Sequence, residues 1–430
     1  MLLNSNSTMH CFGALLASMA AWPAWGAEVP PPNSVLEKMT LANGYFMDKW
    51  PDPTVDIVTN RTRPSNIWTR ATYYEGLMSL YYVDSQSLYY DYAVEWADSH
   101  NWEPAYGGTT TTSADNQCAG QTYLELYLID PQPERIAPIK ATIDGMLNSS
   151  QSNYWWWIDA IQMSMPVFAK LGAVLDDDRY YEKMYDIFSY TKTQHGSNGL
   201  YNEADHLWWR DADFDPPYTA PNGEDTYWSR GNGWVFAGLA RSLDVMPPGA
   251  PHRQELLATF QEMAAALLPV QRSDGFWNVS LHDPNDFGGR ETSGTAFFVY
   301  GLAWGLNNGV LEGDEYLEAA VDGWNGMAND ALHPDGFLGY VQSTGKQPSD
   351  GQPVTYDSVP DFEDYALGAF LLAGSEVYEL GLALTPGDVD GDGDVDTEDL
   401  SIIAVNFRRG GGRPLGDLTG DQFIDLADFR

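Results

Sequence analysis

Residues 154–171 read YWWWIDAIQMSMPVFAKL, and the rest of the chain is best read outward from them. Three tryptophans run into a carboxyl group, Asp159. The apolar residues Ile158, Ile161, Met165, Phe168 and Leu171 then recur at a helical period. That spacing predicts a buried helix beginning near Trp157. Asp159 falls in its first turn, where negative charge suits the helix dipole. Two readings follow. Asp159 is a helix-start residue beside core tryptophans, or it is a carboxyl whose burial among indoles raises its proton affinity toward neutrality.

The same periodicity recurs in pairs from Ser34 to Leu380. The pairs are 35–48 with 67–83, 87–102 with 115–128, 133–148 with 156–174, 178–195 with 228–245, 252–270 with 292–307, and 315–329 with 362–380. Alternating Val/Ile/Thr strand signals are nearly absent. The first helix of each pair has a charged face, as in DRYYEKMYDIFSY. The second is rich in Gly, Ala and large apolar residues, as in GNGWVFAGLA and DYALGAFLLAG. Helices apolar nearly all round belong inside. The expected fold is all-α, an (α/α)6 barrel over residues 34–384 with six inner and six outer helices. An open helical solenoid is the alternative.

Loop lengths give the barrel a working end. Inner-to-outer links are short (84–86, 130–132, 247–251), whereas outer-to-inner links are long (50–66, 101–114, 196–227, 272–291, 330–361). The third pair departs from this, with a short link before Tyr154. Long loops in compact domains tend to carry function. These emerge where the inner helices begin, the end whose dipoles favour anions.

The distinctive motifs fall at that end. Asp115 opens an inner helix in ADNQCAGQTYLELY, and Asp159 opens the next. TYWSRGNGW places Trp228, Arg230, Asn232 and Trp234 at the start of the fourth. A guanidinium there can grip a carboxylate with two prongs, and the glycines allow close backbone approach. A Gly-rich helix contact with a structural arginine is the plainer alternative. RETSGTA offers Thr292 or Ser293 as a cap for the fifth inner helix. LYNEADHLWWRD, just upstream of TYWSRGNGW, carries His206 and Arg210.

Composition bounds the partners. The 430 residues include 61 acidic against 22 basic ones, a formal charge of −39. Nucleic acid and anionic membranes are therefore disfavoured, since both need clustered Lys and Arg. An anionic substrate would need local cations. The apolar run from Cys11 to Trp25, followed by small residues, predicts an export signal over residues 1–26 and a secreted (extracellular or periplasmic) protein. Cleavage there would leave Cys118 alone, with no internal disulfide to form.

Taken in order, WIDAIQMSMPVFAKLG, LYNEADHLWWRD, YWSRGNGWVFAGLAR, ETSGTAFFVYGLAWG and LGAFLLAGSEVYEL resemble glycoside hydrolase family 105, the unsaturated rhamnogalacturonyl hydrolases. The similarity spans roughly residues 34–380. It implies an (α/α)6 barrel that needs no cofactor for catalysis. Its substrate would be an oligosaccharide ending in a 4,5-unsaturated uronic acid, whose enol ether is hydrated. The family's general acid/base falls on Asp159, two residues after Trp157, and its second aspartate on Asp115. An ionised Asp115 nearby would raise the proton affinity of Asp159 by like-charge repulsion. Trp157, Trp228 and Arg230 become substrate-binding residues, with Arg230 a partner for the uronate carboxylate. The family's histidine is replaced here, or its role moves to His206.

The tail is a separate unit, residues 385–430. Asp388, Asp390, Asp392, Asp394, Asp396 and Asp399, with Gly393 at the sixth position, follow the calcium-loop pattern of an EF-hand. A poorer copy runs from Asp417 through Asp421 and Asp425 to Asp428. The two resemble a type I dockerin, which implies Ca2+ and a cohesin-type scaffold partner. The chain ends at Arg430 before a second helix, so an incomplete module is expected.

Three function classes remain at this level: an unsaturated uronyl hydrolase, a conventional glycosidase or polysaccharide lyase on the same barrel, and a non-catalytic sugar-binding subunit.

Overall fold

The computed structural model describes residues 29–406, apart from Asn60 and Pro386. The expected export signal and the second calcium-loop copy, Asp417–Asp428, lie outside the described residues.

The chain begins with α1 (Pro32–Lys49), α2 (Trp68–Val83) and α3 (Ser87–Ser99). The second inner position is split into α4 (Ala114–Gln117) and α5 (Gly120–Ile129). The sequence predicts one continuous helix there. The Gln121 N–H instead bonds the Cys118 carbonyl three residues back, tightening the chain between the two pieces. There follow α6 (Ala137–Leu147), α7 (Asp159–Leu175), α8 (Arg179–Thr193), α9 (Ser229–Val245), α10 (Arg253–Leu267), α11 (Thr292–Asn307), α12 (Asp314–Gly326) and α13 (Asp364–Leu384). A last helix, α14 (Thr397–Asn406), follows the acidic tail loop. Strands among the described residues are two-residue pieces in two short hairpins.

Packing closes these helices into a ring. Helix α2 packs on α4 and α5, these on α7, α7 on α9, α9 on α11, α11 on α13, and α13 returns to α2. That last contact excludes the open solenoid. It depends on glycine: a Cβ on Gly368 would lie 2.1 Å from the Thr72 carbonyl oxygen, and one on Gly76 would lie 2.4 Å from the Gly368 oxygen. Two backbones cross there with no room for a side chain. The outer helices, such as α1, α3 and α10, each bury one face. On α7, by contrast, every residue from Asp159 to Gly172 is buried.

The ring interior is polar along its axis. Gln162 Nε2 donates to Glu75 Oε2 at 2.6 Å, and Arg241 reaches Gln121 Oε1 at 2.8 Å and Glu125 Oε1 at 2.9 Å. Burial pushes the Glu75 carboxyl up to about 7, against the pull of Arg241. Helix α13 is also long and apolar enough to cross a membrane, but it is an inner helix of the ring and mostly buried.

Candidate active site

The starts of four inner helices, α2, α4, α7 and α9, converge on one cavity at the end where the loop alternation gathers the long links. Trp68 opens α2, Asp115 lies in α4, Asp159 opens α7, and Trp228, Arg230 and Trp234 surround the start of α9. With Trp157, Met163, Arg210 and Gly345 they line about 70 Å3 of free space.

Asp159 is the first residue of α7, and its neighbour Trp157 pairs backbone-to-backbone with Asp211. The Ile158 N–H donates to the Arg210 carbonyl at 3.0 Å. This short bridge brings Arg210 beside Asp159. Arg210 Nη2 and Nε lie 3.0 and 3.3 Å from Asp159 Oδ2, while Nη1 donates to Asp211 Oδ2 at 2.6 Å. The other Asp159 oxygen, Oδ1, is buried without a hydrogen-bond partner among the described residues. Burial raises the Asp159 carboxyl above its ordinary range, and Arg210 and then Arg230 pull the other way. Among the described residues no cation is bonded to Asp115. Burial and the Asp159 charge push it up to about 7. The like-charge repulsion expected to act on Asp159 thus acts on Asp115 as well.

The three tryptophans divide their roles. Trp157 forms cavity wall, Trp155 is fully buried against Phe168, and Trp156 is half-exposed at 52%. Desolvation of Asp159 by all three therefore reduces to Trp157, with Trp68, Trp228 and Trp234 completing the wall. Trp68 has no motif around it to mark it in the sequence, although it opens an inner helix as Asp159 does.

Arg230 is buried and lies with its guanidinium 4.5 Å above the Trp228 ring. Its Nη1 donates to Ser293 Oγ (3.1 Å) and the Gln342 carbonyl (2.9 Å), and its Nη2 to the Ser343 carbonyl (2.8 Å). It thus fastens the segment that presents Gly345 to the cavity. Asn232 grips the Trp208 backbone from both sides, N–H at 2.8 Å and carbonyl at 3.1 Å. RGNGW and LWWRD are in this way one unit. Gly231 is dictated by the same crowding: a Cβ there would lie 2.9 Å from the Trp228 ring and 3.7 Å from Asp159 Oδ1.

Two further expectations are corrected. His206 is outside the cavity wall: its Nδ1 lies 3.1 Å from the Tyr201 hydroxyl and 3.7 Å from Glu262 on α10, because the hairpin around it turns that ring to the outer layer. The cap of α11 is neither Thr292 nor Ser293 but Glu291, whose carboxylate accepts the Ser293 and Gly294 N–H groups. Away from the cavity, carboxylate oxygens of Asp388, Asp390 and Asp392 converge to within 4.8 Å of one another. Asp394 and Asp396 lie outside that group. Asp399 instead accepts the N–H groups of Val389, Asp390 and Asp396.

Two carboxyl groups of raised proton affinity, walled by indoles and faced by two guanidinium groups, can exchange protons with a bound sugar. Comparison with known proteins gives that chemistry its setting. The protein is a glycoside hydrolase. The model of Glycosyl Hydrolase Family 88 matches residues 38–381, and the chain belongs to that family. An unsaturated 3S-rhamnoglycuronyl hydrolase from Formosa agariphila is 32% identical over 333 residues, covering 73% of this chain and 84% of the relative. The solved structure of a family 88 glycosyl hydrolase from Bacteroides vulgatus superposes with a TM-score of 0.73 at 32% identity, covering 81% of this chain and 99% of that one. A structure described as Polysaccharide Lyase BACCELL_00875 is similar to the same degree, with a TM-score of 0.73 and 31% identity over 81% of this chain and 98% of that one.

Proposed function

We propose that this enzyme removes a 4,5-unsaturated uronic acid from the non-reducing end of a lyase-generated oligosaccharide by hydrating the enol ether, as the motif resemblance to family 105 implies. The observation that carries the reading is Asp159: a buried carboxyl in the cavity wall with one oxygen on Arg210 and the other unpartnered. Protonated, it delivers its proton to C4 of the unsaturated ring. The carboxylate that forms then accepts a proton from the water adding at C5. The resulting hemiketal opens and releases the remaining sugar, and Asp159 ends protonated as it began. Asp115, itself holding a proton below about pH 7, lets an anionic ring approach without facing two carboxylates. Proton transfer between carboxyl groups and substrate supplies the whole cycle.

The name of the Formosa agariphila relative supports rhamnose as the sugar next to the uronate, in preference to the hexosamine of a glycosaminoglycan. Similarity to a structure described as a polysaccharide lyase favours one second reading, cleavage by a base at C5. A single assay separates them. With unsaturated uronyl-rhamnose oligosaccharides, hydration destroys the ultraviolet absorbance of the conjugated enol ether, whereas a lyase acting on the intact polysaccharide creates it. Asp159→Asn should cost on the order of 10³-fold in turnover with the fold intact. A variant of near-normal rate would remove Asp159 from the mechanism.

Export is part of the proposal and rests on the 1–26 segment; signal cleavage before Ala27 in secreted protein is its test. So is Ca2+ in the tail loop. The convergence of Asp388, Asp390 and Asp392 supports it, as does the crowding of like charge by which Asp392 raises Asp394. Calorimetric titration with Ca2+ should show one site, abolished in Asp388→Ala. Docking to a cohesin-type scaffold takes both loops, and the second lies outside the described residues.

A further inference from the structure

The position of Arg210 goes a step beyond the proposed reaction and rests on it. Arg230, the other guanidinium of the cavity, is spent on the Gln342 and Ser343 carbonyls and on Ser293. Among the described residues the Arg210 guanidinium bonds only carboxylates: Asp159 through Nη2 and Nε, Asp211 through Nη1. Asp211 is itself buried and anchored, its Oδ1 accepting the Asp213 N–H at 2.9 Å. The Asp211 bond fixes the guanidinium plane, while both contacts to Asp159 fall on the single oxygen Oδ2.

The groups facing Asp159 are few. Arg210 and Asp211 come from the segment before α9, Arg230 from α9 and Asp115 from α4. With Asp115 protonated, two guanidinium groups stand against two carboxylates, and the cavity is close to neutral. A uronate ring brings one further negative charge into this buried space. Charge balance inside a low-dielectric cavity is restored by one proton.

We propose that Arg210 is the receptor for the substrate's carboxylate, and that its transfer from Asp159 Oδ2 to that carboxylate is what makes Asp159 take up the proton it later gives to C4. Substrate arrival and arming of the acid are then one event. In the free enzyme Arg210 holds Asp159 toward the ionised form. In the complex the same guanidinium is occupied by a bidentate carboxylate, and Asp159, still desolvated, binds a proton from solvent. No bond is made or broken in this step beyond the O–H of Asp159. Arg210 acts through Asp159 and is a positioning residue toward the chemistry, while it touches the substrate directly at its carboxylate.

The test is proton uptake on binding a saturated glucuronyl-rhamnose disaccharide, which lacks the enol ether. Calorimetry at pH 7 in buffers of different ionisation enthalpy reads it. The count is made in Asp115→Asn, which removes the other carboxyl that titrates near 7 and would itself bind part of a proton beside the uronate. In that background about one proton is expected per uronate bound, none for the methyl ester of the same disaccharide, and none once Asp159→Asn is added. With Arg210→Met added instead, Asp159 is protonated before the substrate arrives, so uptake vanishes and uronate affinity falls on the order of 100-fold. Arg210→Lys, which keeps a point charge, should restore part of both. Equal uptake for acid and ester, or uptake surviving in the Asp115→Asn/Asp159→Asn double variant, overturns the proposal. The kinetics give a second reading: the alkaline limb of kcat should lie at higher pH than that of kcat/KM, and coincident limbs overturn the proposal. Loss of ultraviolet absorbance with unsaturated substrate is measured independently, so the reaction can stand while this mechanism of arming falls.

Discussion

Asn232 holds Trp208 by both halves of its backbone, accepting the N–H through Oδ1 and donating to the carbonyl through Nδ2. The two residues belong to different elements, one to α9 and one to the loop that delivers Arg210. Because Trp208 lies two residues before Arg210, this pair sets where the guanidinium meets Asp159. Asn232→Ala should lower kcat about 10- to 100-fold by loosening Arg210, and should cost about 1–3 kcal/mol in denaturant stability for the backbone groups left unpaired. A variant with normal kcat and the same stability loss would make the contact purely structural.

Asp115 gives the enzyme a pH signature. Its carboxyl is raised to about 7 by burial and by Asp159, whereas in the unfolded chain it titrates near the ordinary carboxylate value. Between those two points the folded state binds the extra proton, so this group's contribution to stability falls as pH rises from about 4 to about 7 and is level above. Asp115→Asn removes that cost and should gain about 1–2 kcal/mol at pH 8. In the wild type KM should climb above pH 7 as a second charge appears beside the anionic substrate, and this climb should vanish in Asp115→Asn. Thermal melts and KM against pH check the two parts.

Arg230 offers a contrast with Arg210. Its bonds to the Gln342 and Ser343 carbonyls fix the wall segment around Gly345. Arg230→Met should expose the amides of residues 342–346 to faster hydrogen exchange and destabilise the barrel by about 2–4 kcal/mol. An uronate-selective loss of affinity with unchanged exchange would return Arg230 to the role of carboxylate clamp.

The ring's closure depends on Gly368. With the Thr72 oxygen 2.1 Å from the position of a Cβ, α2 and α13 must separate to admit even alanine. Gly368→Ala should cost at least about 3 kcal/mol, more than a typical substitution. Urea denaturation of the purified protein checks this; a loss below about 1 kcal/mol would mean that the crossing yields easily.

The ring was legible in the sequence because helix period and loop length each report it separately. Apolar-all-round segments such as 362–380 could only be inside, and long links could gather only at one mouth. Asp159 was legible for the same reason, as the first residue of a segment with a known period. Its partner was not. Arg210 lies 51 residues further along and arrives through a two-residue bridge, Trp157 to Asp211, that carries no periodic signal. Arg230 was located correctly in the cavity wall, but a sequence cannot say that its donors are taken by carbonyls more than a hundred residues away. His206 failed for a local reason: a hairpin turn sends neighbouring side chains to opposite sides, and the ring at that turn faces α10.

The tail loop rests on the first turn of α1, with the Asn33 N–H and Nδ2 donating to the Gly391 and Asp390 carbonyls at 2.8 and 2.7 Å. Close by, Gly381 on α13 packs against Pro32, where a Cβ would lie 3.0 Å from the proline ring. The opening and closing turns of the barrel are therefore neighbours, and the order in which its hairpins are strung is separable from the shape they build. A circularly permuted chain, joined across Pro32 and Thr385 and cut in the link before Tyr154, would keep every inner-ring contact and carry the same cavity at its mouth.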